Sequence, residues 1–136
     1  MSRRSSRKHA FALVFQLSFY DELDVQETVN NYFEQMKIKK ISDEDREFIY
    51  NEFSGTYQNL AKIDELISEN LKGWTIGRLN KVDIAILRLA LYEMLFASDI
   101  PKSVSVNEAI EICKIYSSDD TPGFINGVLG IISKKV

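Results

Sequence analysis

The run Asn80–Ala97 constrains the fold of this chain more than any other stretch. Its centre reads Val82-Asp83-Ile84-Ala85-Ile86-Leu87-Arg88-Leu89-Ala90-Leu91-Tyr92-Glu93-Met94. Asn80 is a good N-cap, and Asp83 follows at capping-box spacing. Ala, Leu and Met favour helix, and no Gly or Pro interrupts the run. Asp83, Arg88 and Glu93 stand about 140° apart around such a helix, so they make no single wet face. A helix that is apolar nearly all round is a buried one. Its charges exclude a membrane span, which needs about 20 mostly apolar residues. The pattern predicts the central helix of an all-α domain. Arg88 cannot share solvent with both acids, so it should lie partly buried against a carboxylate or helix-terminal carbonyls.

Composition narrows the function. The chain has 136 residues, with 45% hydrophobic and 27% charged, which suffices for one domain over 1–136 with a real core. One Cys and one His exclude a disulfide framework, a four-Cys zinc site and a His cluster. Phosphate-binding glycine loops, nucleophile elbows and metal spacings are absent from the sequence. Neither an enzyme nor a cofactor is expected. No apolar stretch follows the N-terminal basic residues as a signal peptide requires, so a cytoplasmic protein without membrane attachment is expected. Net charge is -3, yet Arg3, Arg4, Arg7 and Lys8 crowd the N-terminus with no acid among them. A basic end on an acidic body fits a nucleic-acid-binding arm, and it also fits a solvated, frayed terminus. Either way, all three arginines should be replaceable without cost to the fold.

In chain order, the first helix is expected from Ser5 or Ser6 to about Phe19. Ala10, Leu13, Val14 and Leu17 form one apolar stripe. Phe11, Phe15 and Phe19 form a second, which Arg4, Arg7 and Lys8 extend towards the N-terminus. Cations leading into exposed rings suit single-stranded RNA, whereas buried rings would simply be core. Phe15, in mid-helix, is the candidate for partial exposure. Asp24 and Glu27 cap a second helix carrying Val25, Val29, Tyr32, Phe33 and Met36 on one face. Ser42 caps a long helical region in which apolar residues keep helical spacing from Ile49 to Leu71, either one helix bent near Gly55 or two in succession, with Gly73 as its C-cap. Trp74 is expected to plug the gap between two helical halves. Ser105 and Glu108 match a capping box opening a helix that buries Val106, Ala109, Ile110 and an inert Cys113. Thr121-Pro122 opens the last helix, with Thr121 as N-cap and Pro122 at the first position. There Gly123, Gly127 and Gly130 suggest close approach of another backbone, and Gly123 also room for a ligand.

Three blocks in order carry a family resemblance. Val82–Met94 resembles the V-D-x-A-I-L-R-L-A-x-Y-E-L signature of the NusB family of transcription antitermination factors. Val106–Lys114 is similar to its I-N-E-A-V-E-L-A-K block, and Phe124–Leu129 to F-V-N-G-V-L. The resemblance implies a NusB-like helical bundle of about six to seven helices in two packed subdomains around a buried central helix. It implies binding of boxA-type single-stranded RNA from ribosomal RNA leaders, together with the small-subunit ribosomal protein NusE. The complex joins other Nus factors on RNA polymerase and suppresses termination, without catalysis. The family's RNA-contacting positions fall on Arg3, Arg4, Arg7, Lys8 and Phe15, and on Asp119 and Asp120 in the acidic loop. Partner positions fall on Asp83 and Arg88. Ala12 stands where Gln is usual and Gly123 where Lys is common, and Lys8 makes this arm more basic. A helical adaptor that binds only protein is the alternative.

Overall fold

A computed structural model of the chain describes residues 1–73 and 75–136; the expectation for Trp74 lies outside them. Among the described residues there are seven α-helices: α1 (Arg3–Phe15), α2 (Val25–Gln35), α3 (Asp43–Gln58), α4 (Leu60–Glu69), α5 (Lys81–Phe96), α6 (Lys102–Tyr116) and α7 (Thr121–Ser133). Short 3-10 turns at Gln16–Ser18 and Ile76–Arg78 join them to their neighbours. None of the described helices is long and apolar enough to cross a membrane.

The caps follow local chemistry. The side chains of Ser2, Asp24, Ser42 and Asn80 accept from the backbone N–H three residues on, at 2.8–3.1 Å. Because Ser2 caps it, α1 begins at Arg3, ahead of the expected start. The basic residues therefore sit on an ordered helix and not on a frayed arm. The long region after Ser42 is two helices, broken at Asn59, which caps both. Gly73, at φ 73°, lies in a turn beyond α4, whose C-cap is Asn70.

Helix α5 occupies the centre and packs against α1, α3, α4, α6 and α7. Its buried residues point all round, from Asp83 through Leu87 and Leu91 to Met94. Ala10, Leu13 and Val14 of α1, Ile49 and Phe53 of α3, and Ile125 and Leu129 of α7 meet it with no exposed surface. At about 25 cal/mol per Å² of apolar surface, this shared core is the main stabilising contribution. Arg88 behaves as its surroundings dictate. Its Nε and NH2 donate to the two Asp64 carboxylate oxygens at 2.8 Å each, and its side chain is 11% exposed.

Several local readings are corrected by packing. Ser105 opens no helix, since α6 starts at Lys102, and its hydroxyl instead donates to Glu93. Met36 is 53% exposed, because α2 turns only part of its circumference inward. Asp120, not Thr121, holds the N-cap position of α7, without a side-chain capping bond, and Thr121 is already the first helical residue. Gly123, Gly127 and Gly130 face open space, so no backbone approaches them. Gly55 is the tight one: a Cβ there would overlap the Tyr92 ring. It marks a helix–helix contact and not a bend.

Two glycine variants separate these roles. Gly55→Ala forces the Tyr92 ring to move and should cost about 1–3 kcal/mol. Gly127→Ala adds a methyl into solvent, removes backbone freedom from the unfolded chain, and should gain about 0.5–1 kcal/mol. Denaturant melts of the two proteins read the opposite signs directly.

Candidate nucleic-acid interface

Helix α1 has two faces with different work. Ser6, Arg7, Ala10, Phe11, Leu13 and Val14 point inward. Arg4, Lys8, Ala12 and Phe15 share the outward stripe, as their helical spacing requires. Arg4 is 58% exposed in its side chain. Lys8 has no ion-pair partner among the described residues. Arg3, also exposed, lies with its guanidinium 4.0 Å from the centre of the Phe48 ring and reaches Glu44 at 3.4 Å.

Arg7 stands apart. It was expected beside the others at the RNA edge, yet it is 4% exposed. Its Nε donates to Glu93 at 2.8 Å and its NH2 to the other Glu93 oxygen at 3.3 Å. Glu108 accepts from Arg7 and, at 3.1 Å, from the Nε of Arg4, so one carboxylate joins a buried and an exposed arginine. In this fold Arg7 ties α1 to α5 and α6, and it has no surface to offer a phosphate.

A second acid lies under this pair. Glu52 of α3 is 2% exposed, and its Oε1 has no hydrogen-bond partner. Burial, then the hydrogen bond to Glu93 and its charge, push the Glu52 carboxyl up to about 11. Glu52 is thus the protonated donor of the pair. Burial alone would raise Glu93 too, but hydrogen bonds from Glu52 and Arg7, the Arg7 charge and the Ser105 hydroxyl hold it below the ordinary range. No sequence pattern marks Glu52; it reads as a surface acid until α3 is packed on α5.

The aromatic rings grade from core to solvent. Phe11 is 5% exposed, Phe15 is half-buried and Phe19 is 54% exposed. Phe15 and Phe19 meet edge to face at 5.2 Å between centroids, and Tyr116 of α6 tilts over Phe11 at 5.2 Å. Lys81 places its ammonium 5.5 Å from the Phe19 ring centre. On the other flank, His9 Nδ1 and the Tyr32 hydroxyl are 2.7 Å apart. Burial lowers the His9 pKa, with the Lys8 charge assisting.

Asp119 and Asp120 lie exposed in the α6–α7 connection. Asp83 is 7% exposed and accepts from the Ser117 hydroxyl at 2.8 Å. Asp83 and Asp120 line one groove of about 360 Å³, with Leu79 and Phe124. Arg88, expected at a partner surface, has its guanidinium engaged by Asp64 and Ser18 inside the fold. Cys113 is buried, and burial raises its thiol pKa, as suits an inert core position. No group of His, Cys, Asp or Glu able to hold a metal occurs among the described residues.

The NusB family model matches residues 4–134. The chain belongs to the NusB family. The transcription antitermination protein NusB of Acetivibrio thermocellus is 42% identical over 134 residues, spanning 98% of this chain and 90% of that relative. The protein of the same name from Clostridium novyi is 44% identical over 136 residues, spanning 98% and 99% respectively. The solved structure of Thermotoga maritima NusB superposes with a TM-score of 0.87 at 36% identity, covering 99% of this chain and 92% of that one. NusB proteins are non-catalytic regulators, and their all-helical fold is the one described above.

The buried cluster generates two stability predictions. Arg7→Ala strands Glu93 without its cation and should cost about 3–5 kcal/mol, read as a fall in denaturant midpoint, so it is no neutral probe of RNA binding. The folded Glu52 pKa lies above its ordinary 4.5, so folding takes up a proton. That contribution is complete below the unfolded value and is lost as pH rises towards about 11. Glu52→Gln removes the titration. Its melting temperature should therefore decline less than wild type between about pH 5 and pH 9.

Proposed function

We propose that this chain is a transcription antitermination factor. It binds boxA-type single-stranded RNA of ribosomal RNA leaders together with the small-subunit ribosomal protein NusE. The assembled complex, with other Nus factors, suppresses termination by RNA polymerase. Residues 1–136 act as one RNA-binding unit in the cytoplasm. Family membership across nearly the whole chain supports this reading. The observation that carries it is the outward stripe of α1, where Arg4 and Lys8 lead into the half-buried Phe15.

In this reading each residue takes a role. Arg3, Arg4 and Lys8 supply cations to phosphates. Phe15 offers a ring edge to a base. Asp119 and Asp120 border the path and repel phosphate, which confines the strand to the α1 side. Arg7 acts indirectly, by holding α1 against α5 and leaving its exposed face fixed. The groove containing Asp83 and Asp120 is the proposed face for NusE, with Arg88 and Asp64 bracing α5 behind it. Because Glu108 and Glu44 already pair with Arg4 and Arg3, RNA phosphates must displace carboxylates. The Arg3–Glu44 pair is exposed and worth little, and Glu108, whose side chain is 13% exposed, keeps Arg7 as its partner when Arg4 turns to a phosphate.

Titration of a boxA-type RNA, with and without NusE, tests the reading. Each phosphate contact to a single strand changes the slope of log affinity against log salt by about -0.7. Replacing Arg3, Arg4 and Lys8 by Ala together should flatten that slope by about 2 while leaving the melting temperature near wild type. An unchanged slope and affinity would remove α1 from the RNA interface. Binding of NusE with no RNA binding at any salt would leave the protein-only adaptor.

A further inference from the structure

Between α1, α5 and α6 lies a slot of about 330 Å³ lined by Phe11, Ala12, Phe15, Val82 and Tyr116. Its floor is the buried Phe11 and the small Ala12. One wall is Phe15. The other is Tyr116, which is 49% exposed and whose ring tilts over Phe11. No acid lines the slot. Lys8 precedes Ala12 by one helical turn on the same stripe, and Lys81 adjoins Val82 in the chain. Lys81 holds its ammonium 5.5 Å from the centre of the Phe19 ring, which packs on Phe15, so with Lys8 on the α1 stripe cations flank an apolar opening between two rings. An apolar peptide side chain needs no such flanking charge, whereas a base carries a phosphate on either side.

We propose that Tyr116 and Phe15 form the two walls of a slot that takes one unstacked base of a single-stranded RNA, with Lys8 and Lys81 meeting the adjoining phosphates. This rests on the RNA-binding reading and adds Tyr116, Val82 and Lys81 to the site. The slot is open because Ala12 carries only a methyl group. A base entering it stacks on a ring at either side, and aromatic stacking is indifferent to which base it is. Specificity must then come from neighbouring positions, and the slot itself sets register along the strand.

The experiment uses the full chain and a set of boxA-type RNAs, each with 2-aminopurine at one position. Stacking quenches this base, so wild-type protein should quench one position more strongly than its neighbours. Tyr116→Ala should abolish that quench and weaken binding roughly 5- to 160-fold, the range expected for one stacked base, whereas Tyr116→Phe should keep both. Ala12→Leu leaves both rings in place and fills the floor. It should also abolish the quench, and it serves if Tyr116→Ala lowers the melting temperature. Wild-type quenching and affinity in Ala12→Leu and Tyr116→Ala overturn the slot. If binding is still lost when Arg3, Arg4 and Lys8 are replaced, the RNA reading survives without it. Wild-type protein that binds none of the RNAs at low salt overturns both. Weaker NusE binding by Ala12→Leu with RNA quenching intact assigns the slot to protein and overturns the proposal.

Discussion

Everything in this fold depends on burying α5 on all sides. A helix with one apolar stripe needs one neighbour. One that is apolar all round needs a ring of them, and α1, α3, α4, α6 and α7 supply it. The charges that α5 carries into that ring must each be met by a partner. Asp64 meets Arg88, Arg7 meets Glu93, and Ser117 meets Asp83. A buried pair of this kind gains little over a well-packed apolar pair, but a stranded charge is costly. The pairs thus act less as glue than as register marks. They specify which turn of α1, α4 and α6 lies against which turn of α5.

This has a direct consequence for the exposed face of α1. Arg7 and Phe11 are fastened inward, so Arg4, Lys8 and Phe15 are held outward on a rigid rod. An arm that ordered only on binding would lose backbone entropy at about 1–2 kcal/mol per residue. A preformed helix avoids most of that loss and presents its cations at fixed spacing. The same argument explains why Glu108 reaches both Arg4 and Arg7. It is the point at which the interior network meets the surface, and it couples the position of α6, with Tyr116 at its end, to that of α1.

Local signals in the chain were legible where one residue acts on its own neighbours. The caps at Asp24, Ser42 and Asn80, the inward stripe of Ala10, Leu13, Val14 and Leu17, and the need of Arg88 for a carboxylate all follow from short-range rules, and the structure shows them. Signals failed where the same residue types had a distant partner. Ser105 and Glu108 have the spacing of a capping box, but both side chains turn to groups on other helices. Gly55 resembles a hinge, and only the Tyr92 ring against it shows a contact. The glycines of α7 resemble a contact and meet nothing.

The sequence by itself determined that the chain is helical, that α5 is its centre, and that it resembles the NusB family. Those properties rest on periodicity, caps and ordered blocks, all of which are local or linear. Only the tertiary structure decided which of the four N-terminal cations are available. Arg3, Arg4, Arg7 and Lys8 look alike in the chain, because a helix rotates by about 100° per residue and its inward side is defined only by what packs on it. Glu93 and Glu108, 86 and 101 residues away from Arg7, make that choice. The placing of Tyr116 and Phe15 along one slot has the same origin, since the two rings lie on helices that both pack on α5.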